Sequence, residues 1–175
     1  GVNPKNILAV TFTNKAAKEI KERILQTTGM HIPWNGTFHS LCAKILRIDG
    51  QSIGLGPNFV IYDSQDQISL LKTIYEQNNF DKDEFNIKGV QAAISNAKNE
   101  LLNPEQYGEV ANGTFQKHVA KVYKMYQYEL NKAGAVDFDD LLSKTLQLLQ
   151  TDQIIREKYQ KKFEHVLVDE YQDTN

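Results

Sequence analysis

The 175-residue chain carries 20 basic and 22 acidic residues, a net charge of −2, with 41% hydrophobic and 24% charged residues. This composition excludes a disordered chain and a globally basic nucleic-acid-binding protein, so any contact with nucleic acid must be local. Cys42 is the single cysteine, and no apolar run approaches the ~20 residues that cross a bilayer. An internal disulfide, a cysteine-based zinc site and a membrane span are therefore excluded, and a reducing cytoplasmic setting is expected.

The amino terminus shows no basic-then-apolar signal pattern. Both ends lie against strand-like runs, which leads us to expect an excised piece of a larger protein. Ile7 to Phe12 is a near-continuous apolar run of strand length, as in a buried parallel strand. Thr13-Asn14 then offers an N-cap, and apolar positions 16, 17, 20 and 24 carry a helix over Lys15 to Leu25. A helix amino terminus directly after a strand presents free N–H groups and a positive dipole to an anion, although an ordinary strand–helix connection has the same pattern. Residues 27–33 read as a turn. Asn35 to Ser40 reads as a short strand running into a helix whose apolar face includes Leu41, Cys42, Ile45, Leu46 and Ile48. His39 stands at that junction, as a hydrogen-bonded structural residue or a ligand contact.

From about Phe59 onward the pattern predicts helices only. Ser64-Gln65-Asp66-Gln67 reads as a capping box, with Ile68, Leu71, Ile74 and Tyr75 on one face of the helix it opens. A second helix is predicted over Ile87 to Lys98, and a short third one starts at Asn103-Pro104. The longest runs from Thr114 to Ala133, with Phe115, Val119, Val122, Tyr123, Tyr126 and Leu130 as its stripe and Gly134 as its stop. Lys117, Lys121 and Lys124 line one face of it, as a solvated face or a track for a nucleic-acid backbone. Asp137 is a plausible N-cap for the next helix, and the acids of its first turn suit the helix dipole. A charged helix over Asp152 to Phe163 leads into the final stretch.

That stretch, His165 to Asn175, opens with Val166-Leu167-Val168, which reads as a strand buried on both faces. Asp169 and Glu170 follow at its carboxyl end, the edge of an open α/β sheet where ligands bind. An Asp there can hold Mg²⁺ through water, beside a substrate phosphate. A neighbouring Glu can orient or deprotonate the water that attacks a γ-phosphate. Taken alone, such a pair more often merely caps a helix or solvates a turn. No G-x-x-x-x-G-K-[ST] phosphate loop occurs, so groups that cradle phosphates would have to lie outside this stretch.

Four segments together resemble one family: Thr11 to Ala17, Gly36 to Ser40, Val136 to Leu142 and Val168 to Asn175 are similar, in order and at plausible spacing, to successive motifs of UvrD/Rep/PcrA-type superfamily 1 DNA helicases. The resemblance implies an α/β fold: a RecA-like (P-loop NTPase) parallel-sheet core, truncated, interrupted by an all-helical insertion. Residues 1–55 and 135–175 would be part of the first core domain and 56–134 the insertion. It implies an ATP-driven motor that moves 3′ to 5′ on single-stranded DNA and opens duplex at junctions in repair or replication. Asp169 would match the Mg²⁺-coordinating acid and Glu170 the catalytic base. Gln172 would join them in the catalytic set, and with Asp173 it would link the nucleotide site to neighbouring motifs. Phe12, Thr13 and Asn14, with Phe38 and His39, would contact single-stranded DNA. The phosphate loop would lie upstream of Gly1 and a second core domain, with an arginine finger, beyond Asn175. Three other readings share these residues: a subunit of a recombination helicase–nuclease, a non-enzymatic helical interaction module, and a catalytically dead paralogue, against which the intact Asp-Glu pair argues.

Overall fold

The computed structural model describes residues 1–173, the side chain of Asp173 excepted. Thr174 and Asn175, the end of the final motif, lie outside the described residues. The elements in chain order are β1 (Ile7–Thr11), α1 (Asn14–Thr28), β2 (Trp34–Thr37), α2 (Phe38–Asp49), β3 (Val60–Tyr62), α3 (Ser64–Gln77), α4 (Ile87–Asn99), α5 (Pro104–Val110), α6 (Thr114–Lys132), β4 (Ala135–Asp137), α7 (Phe138–Thr151), α8 (Gln153–Lys162) and β5 (His165–Val168), with short 3₁₀ turns between some of them. They form two compact units, one of residues 1–57 with 144–175 and one of residues 58–143. The whole is a mixed α/β chain with small parallel sheets and many helices.

The first unit is built on a three-stranded parallel sheet in the order β2-β1-β5. The central strand is buried where the sequence is most apolar, at Ala9, Val10 and Thr11. In α1 the four predicted stripe residues, Ala16, Ala17, Ile20 and Ile24, are the half-buried ones. This helix runs on through Thr28 instead of ending near Leu25. Thr27 and Thr28 donate their hydroxyls to the carbonyls of Arg23 and Ile24 (2.7 and 2.8 Å), so the last turn is held until Gly29 adopts φ +67° and stops it. Leu41, Ile45 and Leu46 of α2 are buried as expected, whereas Ile48 is 53% exposed. It shares the face of Leu41 and Ile45 but lies in the last turn of α2. The larger correction concerns β5. Val166 and Leu167 are more than half exposed, because β5 is an edge strand paired only with β1 among the described residues. Its apolar run is buried on neither face.

The second unit closes its own core. Leu71, Ile74 and Tyr75 of α3 pack with Val90 and Ile94 of α4 and with Val119, Val122, Tyr126 and Leu130 of α6, all nearly inaccessible to solvent. Phe115, placed on the same stripe by its spacing, sits in the first turn of α6 and is 36% exposed. The cap of α3 is Asp63, not Ser64: the Asp63 carboxylate accepts the N–H groups of Gln65 and Asp66, and the Asp66 carboxylate accepts the Asp63 N–H (2.7, 2.9 and 3.0 Å). The region after Phe59 is not purely helical either. β3 and β4 pair in parallel, Val60 with Ala135 and Tyr62 with Asp137. Three residues each is too short for periodicity to register as a strand.

Buried charge marks this unit. Lys98, at the end of α4, places its ammonium 2.7 Å from Asp137 and 2.9 Å from Asp140, all three side chains being almost fully enclosed. Tyr126 donates its hydroxyl to the same Asp137 oxygen (3.0 Å). The helix-start role expected for Asp137 is present too, since its other oxygen accepts the Asp140 N–H at 2.8 Å. Burial pushes the Asp137 carboxyl up, the neighbouring Asp140 charge adds to that, and Lys98 opposes both.

Candidate functional site

The parallel sheet gathers the motif residues at one edge. Register pairs Thr11 with Thr37 and Val10 with Val168, so β1, β2 and β5 all run out at the same level. Immediately beyond those ends stand Phe12-Thr13-Asn14, Phe38-His39 and Asp169-Glu170. The ladder continues one step further, because the Asp169 N–H donates to the Val10 carbonyl at 3.0 Å. The Asp169 carboxylate is thus carried on a strand end that is hydrogen-bonded to the central strand.

Local chemistry explains each placement. Thr13 leaves β1 in an extended conformation and accepts the Ala16 N–H at 3.1 Å, which caps α1. Thr11 donates its hydroxyl to the Thr13 carbonyl at 2.9 Å and tightens that turn. Asn14 is exposed at the helix amino terminus, where unpaired N–H groups and the dipole favour an anion. Thr37 caps α2 in the same way, accepting the Ser40 N–H at 3.2 Å, and the Ser40 hydroxyl donates back to the Thr37 carbonyl at 2.9 Å. Gly36 makes this return possible, since a Cβ there would press into the Ser40 hydroxyl.

The rings of Phe12 and Phe38 meet at 5.2 Å between centroids with a 52° tilt, and Phe12 is 42% exposed. Two segments 26 residues apart therefore share one partly open aromatic surface. His39 is half-buried beside it. Asp169, Glu170 and Gln172 are exposed, and Gln172 donates its amide to the Glu170 carboxylate. Glu170 sits at φ +53°, a left-handed conformation that an L-residue other than Gly adopts at a cost of about 1 kcal/mol. The fold thus joins the aromatic pair to each other and Glu170 to Gln172.

The donor set suits a hydrated divalent cation of the Mg²⁺ type: one or two accessible carboxylates at a strand end, with substrate phosphates completing the shell. Among the described residues no cluster of three or more His, Cys, Asp or Glu side chains forms a dedicated metal cage.

The sequence profile of the UvrD/REP helicase N-terminal domain matches residues 1–175. The chain belongs to that family. Among relatives of this UvrD/REP type, the ATP-dependent DNA helicase PcrA of Bacillus subtilis strain 168 is 46% identical over 176 residues, which covers 99% of this chain and 24% of that protein. Proteins of the same name from Leuconostoc citreum and Staphylococcus epidermidis are 45% and 47% identical, with the same coverage. The chain therefore spans about a quarter of the length of these UvrD/REP-type relatives. No helix among the described residues is long and apolar enough to cross a membrane.

Sequence reasoning missed Lys98 and the cation pair around Trp34 described below. Lys98 had one available signal, a lone Lys on the inward stripe Val90, Ile94, Ala97 of an amphipathic helix.

Proposed function

We propose that this chain is part of an ATP-dependent 3′–5′ DNA helicase, a cytoplasmic motor of DNA repair or replication. It would move along single-stranded DNA and open duplex at single-strand/double-strand junctions. The observation that carries this reading is the single sheet edge that holds an acid pair, a capped helix start and an exposed aromatic pair, in a chain of the UvrD/REP family. In this reading residues 1–55 and 135–175 belong to a RecA-like core and 56–134 to an insertion.

Asp169 would hold Mg²⁺ together with the phosphates of ATP. When bound, the ion supplies charge neutralisation for the transferred phosphoryl group. Glu170 accepts a proton from the attacking water while a bond forms from that water's oxygen to the γ-phosphorus. The bond from the γ-phosphorus to its bridging oxygen breaks, and ADP leaves with the electron pair. The exposed position of Glu170 suits a base that must reach substrate, and its hydrogen bond to Gln172 orients it. Phe12 and Phe38 give bases a stacking surface indifferent to sequence, while Thr13, Asn14 and His39 contact the sugar-phosphate chain.

The test is ATP hydrolysis by the full-length parent, with and without single-stranded DNA, for wild type and Glu170→Gln. Strong DNA stimulation that disappears in the variant, with ATP still bound, supports a motor with Glu170 as base. Unchanged hydrolysis would make the acid pair structural and bring forward the interaction-module reading. The 175-residue chain alone is expected to show no DNA-stimulated turnover, because it contains no phosphate loop. Its DNA binding should be weak and fall steeply with salt.

A further inference from the structure

Trp34 opens β2, three residues before Thr37, so its ring lies toward the amino edge of the sheet, about 10 Å of strand from the acid and phenylalanine edge. The indole is 4% exposed and is walled by Tyr159 and Phe163 at 5.9 and 5.1 Å. Two ammonium groups converge on it. Lys44 of α2 stands 4.3 Å from the ring centre and Lys162 of α8 stands 4.7 Å from it. Among the described residues neither has a carboxylate within salt-bridge distance; Lys44 donates only to the Pro33 carbonyl at 2.8 Å. Partial burial, and then the charge of Lys162, holds the Lys44 ammonium below its usual range.

The neighbouring cation differs. Lys158 donates to both Asp49 oxygens at 2.8 Å, and Tyr159 donates its hydroxyl to one of them at 2.6 Å. That pair ties α2 to α8 and neutralises itself, whereas Lys44 and Lys162 have no carboxylate partner among the described residues. The same helix faces carry apolar groups that the core does not use. Ile48 follows Lys44 by one turn, and Ile154, Lys158 and Lys162 recur every four residues along α8. Ile48 is 53% and Ile154 82% exposed.

We propose that this face of α2 and α8 docks a short acidic, partly apolar segment of a protein partner, whose carboxylates pair with Lys44 and Lys162 and whose apolar residues cover Ile48 and Ile154. Charge complementarity selects the occupant: two like charges held on one ring repel until an anion joins them. The geometry disfavours nucleic acid here. The rings of Trp34 and Tyr159 are buried and offer no base a stacking face, and two cations at one point are not a track along a phosphate chain.

The experiment uses fluorescence anisotropy of the 175-residue chain with a fluorescein-labelled peptide of about 12 residues made of Glu, Leu and Ala. Saturable, salt-sensitive binding is expected, and a peptide with Gln in place of Glu should lose it. Lys44→Met with Lys162→Met keeps the aliphatic stems on the indole and should weaken binding about tenfold; Lys→Arg at both sites should restore it. Lys117→Met with Lys121→Met should change nothing. Ile154→Glu, on a fully solvated side chain, weakens binding without touching the tryptophan packing and serves if the double variant misfolds. Equal binding by the Met and wild-type proteins, no saturation below ~1 mM peptide, or displacement of the peptide by a single-stranded oligonucleotide would overturn the proposal.

Discussion

The two compact units solve opposite problems. In residues 58–143, three helices bury a continuous apolar core, and even charged groups are enclosed and paired, as Lys98, Asp137 and Asp140 show. In residues 1–57 with 144–175, the sheet leaves Val166, Leu167 and Tyr171 largely exposed, and the candidate catalytic acids stand in solvent. The difference teaches where function is written. The second unit turns the charged groups of its core onto one another. The unit that leaves strand ends and a helix start exposed, and two cations with no carboxylate partner among the described residues, holds every candidate binding group of the first site and of the cation patch.

The contrast can be broken most severely at Lys98. Lys98→Met leaves two carboxylates buried without a counter-charge, and stability of the second unit should fall by about 3–5 kcal/mol. Urea unfolding followed by far-UV circular dichroism measures this. A loss below about 1 kcal/mol would mean that water reaches the acids and the unit is not closed. Next in size is a matched pair. Leu130→Ala removes a side chain with no solvent exposure and should cost about 2–5 kcal/mol. Leu167→Ala, at a position 56% exposed, should cost well under about 1 kcal/mol. Equal costs at the two leucines would erase the distinction between the units.

These residues also show what was legible beforehand. Period and caps located α4 and α6 to within a residue or two, because their stripes and the stop at Gly134 are local in sequence, whereas α1 ran three residues past its expected end at Leu25. The acid pair and Phe12 could be placed at strand ends for the same reason. What stayed hidden depends on partners distant in the chain. Asp137 looked like a helix cap and is one, but its contact with Lys98, 39 residues away, has no local signature. The run Val166-Leu167-Val168 carries the composition of a buried strand, yet composition does not report whether a neighbour covers it. The meeting of Phe12 with Phe38 likewise needed the β1–β2 register before it could be seen.

A smaller, pH-dependent effect separates the units again. His118 is stacked on Phe85 at 4.2 Å, and its Nε2 lies 2.8 Å from the Tyr75 hydroxyl, which itself donates to the Phe85 carbonyl. Partial burial holds its pKa below the ordinary 6.5; the charge of Glu84 opposes that and Lys121 reinforces it. The unfolded chain therefore binds a proton at a higher pH than the folded one. Stability is complete above about pH 6.5 and declines as pH falls from there toward the folded value. Thermal unfolding monitored at 222 nm should show this decline, and His118→Gln should remove it. A decline of the same size in the variant would assign the effect to other groups.

The smallest effect on stability is expected where the effect on function is largest. Glu170 occupies a left-handed backbone conformation in solvent, and its side chain bonds only to Gln172 among the contacts described above. Glu170→Gly relieves the steric cost of φ +53° and adds chain entropy to the unfolded state, two terms of similar size and opposite sign. The folding free energy of the chain should therefore change by less than about 1 kcal/mol in either direction. In the full-length parent the same substitution removes the proposed base and should abolish DNA-stimulated hydrolysis. If stability fell by several kcal/mol instead, the acid pair would belong to the packing of the first unit, and that unit would resemble the second more than its exposed strand ends indicate. A neutral effect on folding with loss of turnover would fit a strained residue kept for its chemistry.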